Sequence, residues 1–227
     1  MADAAPMNRS FEPLHARFGF VLLLQFGLLF WLVAFDRGRD LRVLLELTGV
    51  IIPLFAIAVV TPKRRDRWIA FALATGAMLF SGGALSGIRP GGGDIGPLLA
   101  VVFSAHATWK MLLGIVRSER VTGNVLAGAL ATYIMAGLAF AVVYGVIAVR
   151  QPDAFVTAAA APAAFSDLVY FSFVTLLTIG FGDVTAAAPF ARAVVLVEGL
   201  FGVVFTTVVM ASLVAGYLRH RESDTGR

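Results

Sequence analysis

The chain has 227 residues, of which 59% are hydrophobic and 14% charged, and its mean hydropathy of +0.87 exceeds what a water-soluble domain of this length needs to fill one core. The chain contains no cysteine, which excludes disulfide bonds and thiolate metal sites. Its three histidines are scattered along the sequence and do not form a cluster of metal ligands. The formal net charge is +4, but the basic residues lie in short clusters beside apolar runs, which is typical of membrane topology signals and not of a nucleic-acid-binding surface.

Six apolar runs are long enough to cross a bilayer, whose hydrocarbon core of about 30 Å requires about 20 helical residues. The runs cover residues 18–35, 43–60, 68–88, 96–116, 125–149 and 192–218. A further apolar segment at 165–177 is too short to span and is expected to be re-entrant, buried in protein or interfacial. The composition and these runs together predict an all-α integral membrane protein with six transmembrane helices.

The distribution of Lys and Arg beside the runs predicts the orientation. With an even number of crossings, more of these residues lie on the side that holds both termini, so both termini are expected to be cytoplasmic. We therefore expect a multi-pass protein of the plasma membrane, the inner membrane of a bacterial cell, with the connection at 151–164 facing outward. Residues 158–164, which are rich in Ala and Pro, indicate a flexible external loop.

The fourth run bears on voltage sensing. A voltage sensor needs several arginines at helical spacing, each worth about 2.3 kcal/mol per 100 mV when it moves across the membrane. Within 96–116 the only basic residue is Lys110, which lies near the cytoplasmic edge. Steep voltage gating is not expected.

The segment with ion-binding chemistry is Thr178-Ile179-Gly180-Phe181-Gly182, which is followed by Asp183. A dehydrated cation needs oxygen ligands in place of water, and a backbone that runs straight along a symmetry axis can supply rings of carbonyls. Glycine adopts positive φ at little steric cost, so the alternating glycines allow successive carbonyls to point to one side. Such irregular backbone at membrane depth is tolerated where it lines a water-filled path, and a short re-entrant helix before it satisfies that condition.

The short helix before this segment has a predicted electrostatic role. If it enters from outside, its C-terminal carbonyls carry partial negative charge toward the membrane centre, where a cation is stabilised. At its other end, Ser166 is the expected N-cap and Asp167 a favourable charge in the first turn.

The stretch Tyr170 to Asp183, with the sequence YFSFVTLLTIGFGD, resembles the pore signature of the tetrameric potassium channels. The sequence Pro189-Phe190-Ala191-Arg192 is similar to the start of the inner helix in that family. The resemblance covers about residues 125–218, and the four preceding runs match the family only in number. It implies an outer helix, a pore helix, a filter and an inner helix, with four subunits around one pore.

The resemblance also implies roles for individual residues. The ion-binding oxygens would come from Thr178, Ile179, Gly180 and Phe181, Gly182 would close the outer end of the filter, and Asp183 would brace the filter from behind. Tyr170 and Phe171 would belong to an aromatic cuff around the filter. Gly202 would be a bending position of the inner helix.

Three positions depart from the family pattern and remove supports around the filter. Phe181 stands where tyrosine is commoner, Leu177 replaces a usual Thr or Ser, and Val174 gives the pore helix no carboxylate to hold Asp183. These departures leave a weakly selective cation channel open as an alternative.

Three polar positions lie in the last apolar run. Glu198 would cost several kcal/mol if ionised and facing lipid, so it is expected to face protein, either hydrogen-bonding the back of the filter or pore helix or making a purely structural contact between helices. Thr206 and Thr207 are candidates for lining a polar cavity, although small residues in a membrane helix also serve packing.

The sequence thus predicts four segments: a cytoplasmic N-terminus at 1–17, a four-helix transmembrane domain at 18–120, a pore domain at 121–218 and a short cytoplasmic tail at 219–227 without a soluble ligand-binding domain. The predicted function is passive potassium conduction by a homotetramer in membrane lipid, with K⁺ as permeant ion, no cofactor, no enzymatic activity and no nucleic-acid partner. The alternatives are a weakly selective cation channel and a nonconducting transporter or sensor subunit with a pore-like fold.

Overall fold

The computed structural model describes residues 22–27, 29–30, 65, 68, 72, 75, 95–116, 118, 121–158 and 163–225. From residue 95 onward these residues form the following elements in chain order: α1 (Ile95–Val116), α2 (Gly123–Arg150), β1 (Phe155–Thr157), α3 (Phe165–Leu176), β2 (Val184–Ala186), α4 (Pro189–Val204), a π-helical segment (Phe205–Met210) and α5 (Ala211–Thr225). Most of the first three predicted crossings lie outside the described residues.

Two stretches of helix are long and apolar enough to cross a membrane. They are Gly123–Arg150 and Pro189–Leu218, and they correspond to the fifth and sixth predicted runs. Helix α1 covers the fourth run, but its apolar part, Val101–Val116, is shorter than a span requires. The described residues thus support a mostly helical membrane protein with two candidate spans, and they do not support the count of six.

Helix α2 is the scaffold of the described region, because α1, α3 and α4 all pack against it. The two helices lie close together at Gly137, where an added Cβ atom would lie 2.8 Å from the Phe173 ring and 3.0 Å from Leu176. A small residue at this crossing therefore brings α3 close to α2.

Helix α3 is 12 residues long, or about 18 Å at the usual rise, and cannot span a bilayer. Its N-cap is Ala164, so the prediction that Ser166 caps it is wrong. Instead, Asp167 in the first turn accepts a hydrogen bond from the Ala164 N–H at 2.8 Å. A carboxylate three residues after the cap reaches back to the cap's N–H and also faces the positive end of the helix dipole.

The described fold is mostly helical, and it also contains two short strands that the sequence did not predict. Strands β1 and β2 pair antiparallel, with Phe155 opposite Ala186, Val156 opposite Thr185 and Thr157 opposite Val184. Strands of three residues are too short for alternating hydrophobicity to reveal them. The pairing joins the segment before α3 to the segment after the predicted filter.

Two buried clusters hold these elements together. One lies around β1 and β2, between the C-terminal part of α2 and the N-terminal parts of α3 and α4, and contains Tyr144, Ile147, Ala154, Phe155, Leu168, Phe171, Val184, Ala188 and Ala191. The other contains Ile115, Ala129, Phe205 and Leu213, and it joins α1 and α2 to the π-helical segment and α5.

Candidate functional site

The predicted filter has an alternating backbone. Thr178, Gly180 and Gly182 have φ values of 57°, 60° and 78°, while the residues between them do not have positive φ. Thr178 is the sole non-glycine residue with positive φ in the part of the chain that the structure describes. A β-branched residue is strained in this region, and such strain persists where the surroundings hold it and is often found at functional sites.

The inner end of this segment is tied to the last turn of α3 by backbone hydrogen bonds. The Val174 carbonyl accepts the N–H of Ile179 at 2.9 Å and that of Gly180 at 3.4 Å, and the Thr175 carbonyl accepts the N–H of Thr178 at 3.0 Å. Val174 therefore contributes its carbonyl to the site, although its side chain brings no carboxylate.

The side chains of the segment are exposed in the single chain. Leu177, Ile179 and Phe181 have exposed fractions of 53%, 48% and 68%. Large apolar side chains at this exposure, on a strained segment between two candidate spans, indicate a surface that is covered by something outside the single chain.

Asp183 follows the predicted filter and interacts with Tyr170 of α3. The hydrogen bond between them raises the pKa of the Tyr170 hydroxyl, and burial adds to the shift. The hydroxyl is thus protonated at neutral pH and is the donor to the Asp183 carboxylate. A second contact runs from the Val184 N–H to Asp183 Oδ1 at 3.1 Å. Tyr170 and Asp183, both predicted from the sequence, are brought together.

Glu198 is fully buried behind α3. Its carboxyl group is hydrogen-bonded to the Tyr144 hydroxyl of α2 through Oε2 and to the Ser172 hydroxyl of α3 through Oε1. Ser172 also donates to the Gly137 carbonyl at 2.8 Å. We call Tyr144, Ser172 and Glu198 the rear cluster. It places Glu198 against α2 and α3 at once.

The number of hydroxyl protons limits which hydrogen bonds the rear cluster can form at the same time. A serine hydroxyl has one proton and therefore donates to one acceptor at a time. Ser172 can therefore form both contacts if its hydroxyl donates to the Gly137 carbonyl and its oxygen accepts from a protonated Glu198 carboxyl group. Tyr144 then donates to the other carboxyl oxygen.

Sequence reasoning missed Tyr144 and Ser172. A signal existed, because a glutamate within an apolar helix requires polar partners, and hydroxyl-bearing residues on the neighbouring helices are the available ones. These partners lie 54 and 26 residues away along the chain, so no local spacing identifies them.

Phe171, predicted to form part of an aromatic cuff, packs inside the subunit. Its ring centroid lies 5.5 Å from that of Tyr144 and 5.8 Å from that of Phe155, and these two rings are 5.1 Å apart. Phe171 is 8% exposed. It therefore joins α3 to α2 and β1, whereas Tyr170 is the member of the pair that reaches the filter's outer end.

The last carbonyl of α3 has a partner that the sequence did not suggest. The Tyr133 hydroxyl of α2 donates to the Leu176 carbonyl at 2.7 Å. Gly202 of α4 lies against the same carbonyl, since an added Cβ atom would be 2.7 Å from the Leu176 oxygen. Gly202 was predicted to be a bending position, and packing also accounts for a glycine here, because α4 closely approaches the end of α3.

The helix after Gly202 changes its winding. Residues Phe205–Met210 are π-helical, a geometry that is rare and often found at functional sites. Thr206 and Thr207 lie in this segment with exposed side chains, and their hydroxyls donate to backbone carbonyls of the preceding turn, Gly202 at 2.9 Å for Thr206 and Val203 at 2.6 Å for Thr207. Their cavity-lining role remains a prediction.

The described geometry therefore contains two candidate spans, a short helix between them that cannot span, and a segment with alternating positive φ that leaves the end of this helix. Residues 130–217 match the model of a family described as an ion channel. The matched segment includes the short helix, the segment with alternating positive φ, residues 130–150 of the first candidate span and the second candidate span except its last residue. Searches of curated proteins and of solved structures gave no match.

This match supports an ion channel domain in a membrane protein, and the family is one of channels and not of enzymes. The match does not extend to three more specific statements, which remain predictions. These are the potassium-binding roles of Thr178 to Phe181, the tetramer and the orientation of the termini.

Proposed function

We propose that the chain is a subunit of a potassium-selective channel that conducts K⁺ passively through a filter of backbone carbonyls. The observation that carries this proposal is the alternation of positive φ at Thr178, Gly180 and Gly182, directly after a helix that cannot span. Alternation of this kind turns carbonyls toward one side of an extended segment. The oxygens of residues 178–181 would then replace the hydration shell of the ion.

One chain has one filter segment, so a ring of oxygens needs several copies around an axis, and the resemblance to the tetrameric potassium channels implies that there are four. The exposed apolar side chains of the filter and of α4 support the proposal, since neighbouring copies and lipid would cover them. Those of α4 include Phe190, Leu196, Val197, Leu200, Val203 and Val204. The permeant K⁺ is the only small ligand required, and the setting is a plasma membrane with cytoplasmic termini.

The end of α3 would stabilise the ion electrostatically. Its C-terminal carbonyls carry part of the negative end of the helix dipole. Leu176 ends the helix directly before Leu177 and the filter, so this end is close to the path of the ion. Four such helix ends would favour a cation over an anion at the inner side of the filter.

The direct test is reconstitution of the full-length protein in liposomes with K⁺ inside and Na⁺ outside. A K⁺-selective channel generates a large inside-negative potential, and barium, a divalent ion of similar size, should block it. Equal K⁺ and Na⁺ flux would replace the proposal with a weakly selective cation channel. An absence of flux across several pH values and lipid compositions would favour the nonconducting subunit.

A matched pair of glycine variants tests the filter itself. At Gly180, with φ of +60°, no atom of the same chain beyond the adjacent residues lies within 4 Å of an added Cβ, so within one subunit the cost of alanine comes from the backbone angle. That cost is about 1–2 kcal/mol in each subunit, and we expect Gly180→Ala to reduce K⁺ flux at least about tenfold. Gly123→Ala is the control, because Gly123 has equally open space and no positive φ, and it should conduct like the wild type. Equal flux from the two variants would contradict the filter assignment.

A further inference from the structure

We propose, on the basis of the channel function above, that residues 155–158 are positioning residues that hold the outer end of the filter through a backbone ladder. The contact nearest the filter is the hydrogen bond from the Ala158 N–H to the Asp183 carbonyl, at 2.7 Å. Strands β1 and β2 continue the ladder away from the filter, and the Ala187 N–H donates to the Ala154 carbonyl at 2.8 Å at its far end. We call 154–158 and 183–187 together the outer ladder.

The outer ladder is anchored in the protein core on both strands. Phe155 of β1 is 1% exposed and Val184 of β2 is 7% exposed, and both belong to the same buried cluster. Phe155 packs against the rings of Tyr144 and Phe171, on α2 and α3. A rigid connection therefore runs from the helices through β1 to the residue that follows the filter.

The inner and outer halves of the filter are held differently. The inner half is bonded to α3 through the Val174 carbonyl. At the outer end, Gly182 has φ of +78°, so the direction of its carbonyl depends on how the next residue is fixed. The Ala158 N–H fixes that residue through its backbone, whereas Val174 has no carboxylate with which to do so through a side chain.

A proline substitution removes this contact selectively. Proline at position 158 has no N–H, and it favours an extended conformation at residue 157, which strand β1 already has. We expect Ala158→Pro to lower the K⁺/Na⁺ permeability ratio of the reconstituted full-length channel at least about fivefold, the effect of one backbone hydrogen bond on an equilibrium. Ala158→Ser keeps the N–H and should leave the ratio within about twofold of the wild type. A ratio unchanged in Ala158→Pro would overturn the inference.

A reversible cross-link provides the rescue. Hydrogen bonds join Ala154 with Ala187 and Ala158 with Asp183. Because hydrogen-bonded and non-hydrogen-bonded pairs alternate along an antiparallel ladder, Thr157 and Val184 form a non-hydrogen-bonded pair. Such pairs have Cα atoms about 4.5 Å apart, within the range of a disulfide. The chain contains no cysteine, so Thr157→Cys with Val184→Cys introduces the only two thiols. Maleimide labelling should show both thiols consumed on oxidation without a dimer band, and free thiols would contradict the pairing and the inference with it.

Oxidation of the two cysteines in the Ala158→Pro background should return the permeability ratio to within about twofold of the wild type, and dithiothreitol should reverse the rescue. The single variants Thr157→Cys and Val184→Cys in the same background should not respond to oxidant. A cross-linked protein whose K⁺/Na⁺ permeability ratio stays low would overturn the inference. In that protein the two strands would be joined, and yet the selectivity would not have returned.

A second measurement does not depend on the proline variant. When external K⁺ is lowered, the filter carbonyls repel one another without a cation between them. The outer ends of the filter segments of neighbouring subunits are then expected to move apart, and conduction should be lost. In Thr157→Cys/Val184→Cys alone, oxidation should slow the resulting loss of K⁺ flux at least about fivefold relative to the reduced form, and equal rates would overturn the inference. The absence of K⁺ flux from the wild type is a different failure, since it overturns the proposed function itself.

Discussion

The rear cluster and the outer ladder hold the surroundings of the predicted filter by different physical means: the rear cluster holds α3, to which the inner end is bonded, and the outer ladder reaches Asp183 directly. The rear cluster consists of three buried side chains on three helices, joined through the carboxyl group of Glu198. The outer ladder consists of backbone bonds between loop segments, and side chains such as Phe155 only anchor it. The inner support is thus sensitive to side-chain identity, whereas the outer support is sensitive to the loss of a backbone N–H.

The difference has a physical cause. Behind α3 the helices have already used their backbone groups, so polar contacts between them require side chains, and a buried polar side chain without a partner is costly. At the outer end the chain is not helical and its backbone groups are free to pair. Four substitutions, from the largest expected effect to the smallest, test this division.

Removal of the Glu198 carboxyl group should have the largest effect. Glu198→Ala leaves the buried Tyr144 hydroxyl without its acceptor, at about 1–3 kcal/mol, and also leaves a cavity, so we expect a loss of about 2–4 kcal/mol in stability. The measurement is thermal unfolding of the purified full-length protein. In Glu198→Gln the amide oxygen accepts from Tyr144 and the NH₂ group donates to Ser172, so this variant should lose less than about 1 kcal/mol. If Gln is as damaging as Ala, the carboxyl group does not donate to Ser172.

Gly202→Ala tests the crossing of α4 and α3. The new Cβ atom would lie 2.7 Å from the Leu176 carbonyl oxygen, and overpacking of this kind costs about 1–3 kcal/mol. Gly199→Ala is the matched control, because it lies on the same helix and no atom of the chain lies within 4 Å of its added Cβ. A Gly202→Ala protein that unfolds like the control but gates differently would favour bending over packing at this glycine.

Tyr133→Phe removes the donor to the Leu176 carbonyl and keeps the ring, which lies 5.2 Å from Phe205 between centroids. We expect a loss of about 1 kcal/mol in thermal stability, the usual net value of one hydrogen bond. Tyr133→Leu should lose more, since it also removes the ring contact. Equal stability of wild type and Tyr133→Phe would mean that the carbonyl finds another donor.

Tyr170→Phe should have the smallest effect of the four. It removes a side-chain bond to Asp183 at the outer end, where the Ala158 N–H still holds the backbone of the same residue. We expect unfolding close to that of the wild type and a permeability ratio that falls less than in Ala158→Pro. A ratio that falls as far as in the proline variant would break the comparison, because the outer end would then also depend on a side chain.

Local sequence patterns are sufficient for the parts of the molecule that depend on neighbouring residues. The two apolar spans, the short helix between them and the position of the alternating glycines all follow from length, hydropathy and the conformational freedom of glycine, and the structure contains each of them. The match to an ion channel family covers this same region.

The tertiary structure decided the supports. Tyr144 and Ser172 as partners of Glu198, Tyr133 as partner of Leu176, and the pairing of β1 with β2 all join residues that are far apart in the chain. No periodicity encodes such pairs, since each depends on which faces of the helices meet once they are packed. The alternating glycines permit the positive φ values of the predicted filter, whereas the contacts around it come from the packed helices and from the pairing of β1 with β2.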